Sequence, residues 1–285
     1  MKITQMHNST MTQMMGYLIV TDGGRLIVFD GGNRGDAAEL ARLVRGCGGH
    51  IDLWFLSHPH SDHEGALLEW IEKPELAEGI SVGKILYSPV PEGFAPDSDD
   101  EWNDLNEFAR VFPKCSYQAK ALEGGELFTV DNVTVEVLWV PSPDMKSGMV
   151  NDLSVVCRLT EVLPGDREFA MIFLGDLWVR GGEDLLKQYA DRPEKLRADA
   201  VQMARHGQNG VDFPVYEAIM PTWAFWPTPD WLWLNMGGGR AGAGPFKTLV
   251  VRAWMEQLGA IPITSFAGSP HTVFDTAEEL GRMGE

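Results

Sequence analysis

The chain has 285 residues, 44% of them hydrophobic and 22% charged, an ordinary globular composition that excludes a disordered chain. A chain of this length buries a core without staples, and its three separated cysteines, Cys47, Cys115 and Cys157, read as free thiols of a reducing compartment, not as a disulfide framework or a Cys-based zinc site. With 23 Lys and Arg against 41 Asp and Glu, the formal net charge of −18 argues against non-specific nucleic-acid binding, though not against a small anionic substrate held by a local metal charge. No apolar run approaches the roughly 18 residues of a membrane span. Residues 1–13 are polar and lack the apolar stretch of a secretory leader. A cytoplasmic protein without membrane contact is the expectation.

In chain order, residues 16–30 (GYLIVTDGGRLIVFD) predict a β-hairpin about Asp22-Gly23-Gly24. Residues 36–45 predict a helix stopped by Gly46-Cys47-Gly48-Gly49, and residues 51–57 a buried strand. A helix is expected over 65–71, a strand over 84–88 and an acid-led helix over 100–111. Residues 126–130, 133–140, 152–159 and 169–174 read as strands, 183–190 as a helix, 199–204 as a strand, 211–220 as a helix and 221–226 as a strand. The Trp-, Gly- and Pro-rich stretch 227–245 reads as a loop, 249–258 as a helix and 261–265 as a closing strand. This alternation predicts an α/β architecture, two sheets sandwiched between helices, in one domain over residues 1–285. The strand order does not follow from the pattern.

The chain has seven histidines, and three of them fall in Ser57-His58-Pro59-His60-Ser61-Asp62-His63. An apolar strand leads into this segment and a helix follows, so the cluster sits at a strand's C-terminal end, where α/β folds build sites. Four potential ligands in six residues, imidazole and carboxylate together, suit zinc, iron or manganese. Pro59 stiffens the turn. His7 and His50 lie in polar or Gly-rich surroundings and read as surface residues.

His58-x-His60-x-Asp62-His63 resembles the first motif of the metallo-β-lactamase fold hydrolases. Asp30-Gly31-Gly32 resembles that family's early Asp-Gly segment, Phe173-Leu174-Gly175-Asp176 its strand-end Gly-Asp, and Ala204-Arg205-His206-Gly207 its late His-Gly. Together these motifs span about residues 15 to 270. Asn151-Asp152-Leu153-Ser154-Val155-Val156 is similar to a segment in the hydrolase domain of ComEC-type competence proteins, where an Asn-x-x-Ser stretch replaces a Gly-His motif. No histidine lies between His63 and His206, in keeping with that branch. The competence proteins also carry a membrane channel that this chain lacks, so a role in DNA uptake does not carry over.

The resemblance implies an αββα sandwich of two mixed sheets flanked by helices. It implies two divalent ions, zinc first, with manganese or iron as alternatives. His58 and His60 would hold the first, Asp62, His63 and His206 the second, and Asp176 would bridge them. The first position lacks the family's usual third histidine, and Asp152, Asn151 or a water would complete it. Asp62 and Asp176 are the catalytic candidates, Asp62 also orienting or deprotonating the attacking water, and Asp30 would accept an N–H from a ligand histidine. Arg205 beside His206, His271 after the closing strand, and Asn151 are the candidate substrate contacts. Trp223, Trp226, Trp231 and Trp233 read either as an aromatic wall beside the site or as core and homodimer surface. The expected activity is metal-dependent hydrolysis of a phosphodiester or related small anionic ester. Hydrolysis of a C–N or thioester bond, and a non-catalytic metal sensor with a degenerate site, are the alternatives.

Overall fold

The computed structural model describes residues 1–7, 12–99, 101–165, 167–266 and 270–283. In chain order its strands are β1 (Lys2–Gln5), β2 (Gly16–Val20), β3 (Leu26–Asp30), β4 (His50–Leu56), β5 (Ser81–Tyr87), β6 (Ala95–Pro96), β7 (Ala119–Ala121) and β8 (Leu127–Val130). They continue as β9 (Val133–Trp139), β10 (Ser147–Gly148), β11 (Val156–Leu163), β12 (Arg167–Phe173), β13 (Ala200–Gln202), β14 (Trp223–Trp226), β15 (Ile261–Thr264) and β16 (Thr272–Asp275). The helices are α1 (Ala37–Gly46), α2 (Ser61–Glu72), α3 (Glu101–Val111), α4 (Val179–Gln188), α5 (Phe213–Ile219), α6 (Asp230–Trp233), α7 (Thr248–Leu258) and α8 (Thr276–Met283).

Two seven-stranded sheets run in the orders β16-β1-β2-β3-β4-β5-β7 and β15-β14-β13-β12-β11-β9-β8. Both are mixed. In the first, β16, β1, β2 and β3 pair antiparallel, whereas β3, β4, β5 and β7 pair parallel. In the second, β15 to β12 pair parallel, and β12, β11, β9 and β8 pair antiparallel. Tyr17, Phe29, Phe55, Val135, Phe173 and Phe225 fill the space between the sheets. Trp54, Val28, Leu40, Leu67 and Trp70 bury the first sheet's outer face under α1 and α2. Ile172, Val201, Leu185, Val215 and Met255 do the same for the second sheet under α4, α5 and α7. Strands covered on both faces read as continuous apolar runs, which is why LIVFD of β3 is buried throughout. The result is the expected αββα sandwich.

The hairpin forms as expected, with Thr21 and Gly24 closing its turn and Gly24 at φ 79°. Other segments differ. The helix expected from residue 65 begins at Ser61, so Asp62 and His63 lie in its first turn, not in the preceding loop. Residues 152–155 are not strand, because Val150–Leu153 closes a short 3-10 turn and β11 begins at Val156. The stretch 227–245 contains α6. The strand over 261–264 is an edge of the second sheet and does not close the fold. The chain continues into β16, which pairs with β1, and then α8. β1 and β16 are only four residues each, too short for periodicity to reveal. Asp100, the expected start of α3, lies outside the described residues.

All three cysteines are free. No helix among the described residues is long and apolar enough to cross a membrane. The ends of β3, β4, β12 and β13 and the start of β11 lie together at one edge of the sandwich, and the loops leaving them carry the polar residues described next.

Candidate metal centre

Two donor groups converge at that edge. His58, His60 and Asp176 form one, and Asp62, His63 and His206 the other, with the donor atoms of each group within 4.8 Å of one another. The two meet across Asp176 and Asp62. His63 Nε2 lies 3.2 Å from Asp176 Oδ1, and His206 Nε2 lies 3.0 Å from Asp62 Oδ2 and 3.5 Å from Asp176 Oδ2.

Each histidine of the second group is aimed by a fixed oxygen behind it. Asp30, fully buried at the end of β3, lies 2.7 Å from His63 Nδ1 and also accepts the Ser57 backbone N–H and hydroxyl. His206 Nδ1 donates to the Pro227 carbonyl at 3.0 Å. A carbonyl or carboxylate behind Nδ1 fixes the tautomer and leaves the Nε2 lone pair facing the centre. In the first group His58 Nδ1 lies 3.0 Å from Ser57 Oγ, and His58 Nε2 lies 2.9 Å from His60 Nδ1.

The backbone around the centre is strained. Asp30, Arg205 and His206 are three of the six non-glycine residues with positive φ among those described. Such conformations persist where the surroundings over-determine them, often at functional sites. Gly175 has φ 56°, and a Cβ there would lie 2.9 Å from Ser57 Cβ, so only glycine lets the loops carrying His58 and Asp176 meet.

Burial and charge act against one another on the titratable groups. Burial pushes the His63 and His206 imidazoles toward neutrality, but the carboxylates beside them prevail. His63 is held well above its usual range by Asp176, Asp62 and Asp30, and His206 is raised to about 9 by Asp176 and Asp62. Burial likewise opposes the charge on Asp176, yet His206 and His63 hold its carboxyl well below the usual range. His58 lies well below its ordinary value, through burial and the neighbouring His63 and His60.

The donor set fits divalent metal ions. His63 Nε2, His206 Nε2 and Asp176 Oδ1 are buried and make no well-aligned hydrogen bond among the described residues, facing one another and Asp62 only at ion-pair distance. Buried polar atoms without aligned partners are unfavourable, and a metal ion that displaces the imidazole protons would supply the partner. Two sets of imidazole nitrogens and carboxylate oxygens suit zinc, iron or manganese.

The other nominated residues are placed as follows. Asn151 is buried and donates Nδ2–H to Asp176 Oδ2 at 3.1 Å. Asp152 is in neither group, and its Oδ1 accepts the Gly181 N–H at 3.2 Å in the first turn of α4. Arg205 lies over the Trp178 ring, 4.4 Å from its centroid. His271 contacts Glu39 at 2.6 Å and faces His7 Nδ1 at 3.0 Å, so the pair fastens the start of β16 to α1, outside both donor groups. His7 is half-buried there and not the surface residue its polar neighbours suggested, while His50 is exposed and contacts Ser81. Trp223 packs between the sheets against Phe169 and Phe274. Trp226 is core, and Trp233 packs edge-on against it. Trp231 is half-buried near Phe246.

Sequence reasoning missed Gln202 and Ser154. Gln202, fully buried at the end of β13, accepts from the Leu174 and Gly175 amides and donates to the Gly175 and Met203 carbonyls, stitching the Asp176 loop to the His206 loop. Ser154 Oγ accepts the Asp176 N–H. A lone glutamine at the end of an apolar strand run was the available signal for Gln202.

Residues 15–144 match the family model described as "Metallo-beta-lactamase superfamily". Among curated proteins nothing matches. Among solved structures the chain is similar to the metallo-beta-lactamase fold protein YhfI from Bacillus subtilis, at 14% identity over 96% of this chain and 99% of that one, with a TM-score of 0.54. It is similar to a mutant of the CmlA beta-hydroxylase at 12% identity over 96% of this chain, with a TM-score of 0.56, and spans 53% of that longer protein. It also resembles MEM-A1, a subclass B3 metallo-beta-lactamase isolated from a soil metagenome library, at 18% identity over 66% of this chain and 72% of that one, with a TM-score of 0.43. The two mixed sheets flanked by helices thus have the metallo-β-lactamase fold, and the superfamily model matches the part of the chain from residue 15 to residue 144.

Proposed function

We propose that this protein is a metal-dependent hydrolase that cleaves a phosphodiester or a related small anionic ester. The observation that carries the reading is the pair of donor groups, His58, His60, Asp176 and Asp62, His63, His206, whose buried imidazole nitrogens and carboxylate oxygens converge on one another at their centre. Zinc is the first candidate for both positions, with manganese or iron as alternatives. When bound, a metal pair supplies a Lewis acid and a water acidic enough to act as a nucleophile near neutral pH.

The chain's own residues supply the rest. Asp30 and the Pro227 carbonyl keep His63 and His206 in the tautomer with Nε2 free. Asp62, partly exposed at the start of α2 and 3.0 Å from His206, would orient the attacking water and accept its proton. Arg205 supports the anionic substrate. It adjoins His206, it is half-buried, and no carboxylate pairs with it among the described residues, in a chain with 41 acidic side chains. Trp178 holds its planar guanidinium, leaving the fork of N–H donors for a phosphate or carboxylate. The Asn151 segment, similar to that of ComEC-type hydrolase domains, supports the phosphodiester assignment.

The test is metal content of the purified protein together with turnover of bis-p-nitrophenyl phosphate after loading with zinc or manganese. Bound metal with turnover is the expected result. Bound metal with hydrolysis only of nitrocefin or an acyl thioester would replace the phosphodiester assignment. A protein that takes up no metal would overturn the reading.

A further inference from the structure

Among the described residues the first donor group holds two imidazoles and the carboxylate it shares with the second, one protein donor fewer than its neighbour's complement. The residue beside that shared carboxylate is Asn151. It sits on the 3-10 turn Val150–Leu153, which is braced from α3 by Glu101 Oε2 accepting the Val150 N–H at 3.2 Å. The paired β6 and β10 secure the preceding stretch. The Asn151 side chain is 1% exposed. A carboxylate can only accept, so the amide N–H faces Asp176, with Nδ2 3.1 Å from Oδ2. The carbonyl end, Oδ1, is then buried with no hydrogen-bond partner among the described residues. Its neighbour Asp152 is engaged elsewhere, with the Gly181 N–H.

Resting on the metal reading above, we infer that the Asn151 amide oxygen is the fourth protein donor of the first metal position, beside His58, His60 and the shared Asp176. Asn151 then serves the metal and not the substrate. A neutral amide gives this position less negative charge than the second, where Asp62 contributes a carboxylate of its own. The first ion is therefore the more weakly held. The side chain acts from both ends, its N–H fixing the shared carboxylate and its carbonyl taking the ion.

The test is titration of metal-free protein with cobalt(II), read by visible absorption and by equilibrium dialysis, on the wild type and three variants. The wild type takes up two ions with separable affinities. Asn151→Ala weakens the looser ion by about 10–100-fold and shifts the tighter ion far less. Asn151→Asp, nearly the same shape with a negative charge, tightens the looser ion and changes its absorption band. Asp152→Ala leaves both affinities at wild-type values, and thermal melts establish that each variant is folded. Two ions bound by Asn151→Ala with unchanged affinities would overturn the assignment while leaving the metal reading intact. So would loss of the looser ion in Asp152→Ala. A wild-type protein that binds no cobalt would overturn both.

Discussion

The two donor groups share one carboxylate but are built differently. In the second, His63 and His206 are fully buried, and each has its rear nitrogen tied to an oxygen that cannot move far, Asp30 Oδ2 or the Pro227 carbonyl. In the first, His60 is only half-buried, and His58 Nε2 and His60 Nδ1 lie 2.9 Å apart, spending on each other the nitrogens an ion would need. The second position is preorganised and negatively charged. The first must open a hydrogen bond before both imidazoles turn to one ion. Preorganisation comes from the layer behind the ligands, so two positions with similar donor types can differ in affinity.

Removing the shared carboxylate is the strongest way to break this comparison. Asp176→Ala should empty both positions and lower turnover by more than about 100-fold, checked by metal analysis and bis-p-nitrophenyl phosphate kinetics. The core between the sheets contains none of these side chains, so the fold should survive by circular dichroism. Wild-type turnover in this variant would refute the ligand assignment.

Asp30→Asn should separate the positions. It replaces the acceptor behind His63 with an amide and should weaken the second ion by about 10–100-fold, with a smaller effect on the first. Competition with a chromogenic chelator measures both, and equal weakening would contradict the proposed asymmetry. Arg205→Ala should raise KM for an anionic ester by about tenfold or more, the value of a charge-assisted hydrogen bond, with metal content unchanged. An unchanged KM would remove Arg205 from substrate binding.

Proton release sharpens the contrast. His206 is raised from 6.5 to about 9 in the metal-free protein, so it keeps its proton below about pH 9 and must lose it to bind an ion. Affinity of the second position therefore falls as pH drops below about 9, by about tenfold per unit from His206 alone. His58, held well below its usual value, is already neutral at pH 7 and imposes no such loss on the first position. Metal added to weakly buffered apo-protein at pH 7 should acidify the solution as the second position fills, which a pH indicator detects. Uptake without acidification would contradict the charge state assigned to His206. The smallest effect belongs to Asp152→Ala. Loss of the acceptor for Gly181 N–H at the start of α4 should cost about 1 kcal/mol and lower Tm by about 2–4 °C. A change in metal content there would bring Asp152 back to the centre.

Much of the centre was legible because its donors are local. Four of the six sit between residues 58 and 63, at a strand-to-helix junction that apolar patterning marks on both sides. Asp176 and His206 were legible because each follows a strand within four residues and adjoins a glycine. The distinction between Asn151 and Asp152 was not. Adjacent polar residues in a turn point in different directions, and only the arrival of α4 behind Asp152 and of Asp176 beside Asn151 separates them. Gln202 escaped notice for the same reason, since its four partners come from the Asp176 and His206 loops. His271 looked like a residue of the site mouth because nothing in the chain between residues 39 and 271 announces that Glu39 will meet it.

By itself, then, the sequence determined the layers and the donor types that gather at the centre. Alternating and continuous apolar runs demand burial on one face or two, and a dense run of imidazole and carboxylate at a strand end admits few readings other than metal. The tertiary structure alone decided strand order, the return of β16 to pair with β1, and which of Asn151 and Asp152 lies against Asp176. Those depend on contacts between residues far apart in the chain, whose energies come from long-range packing and hydrogen bonding that local propensity does not encode.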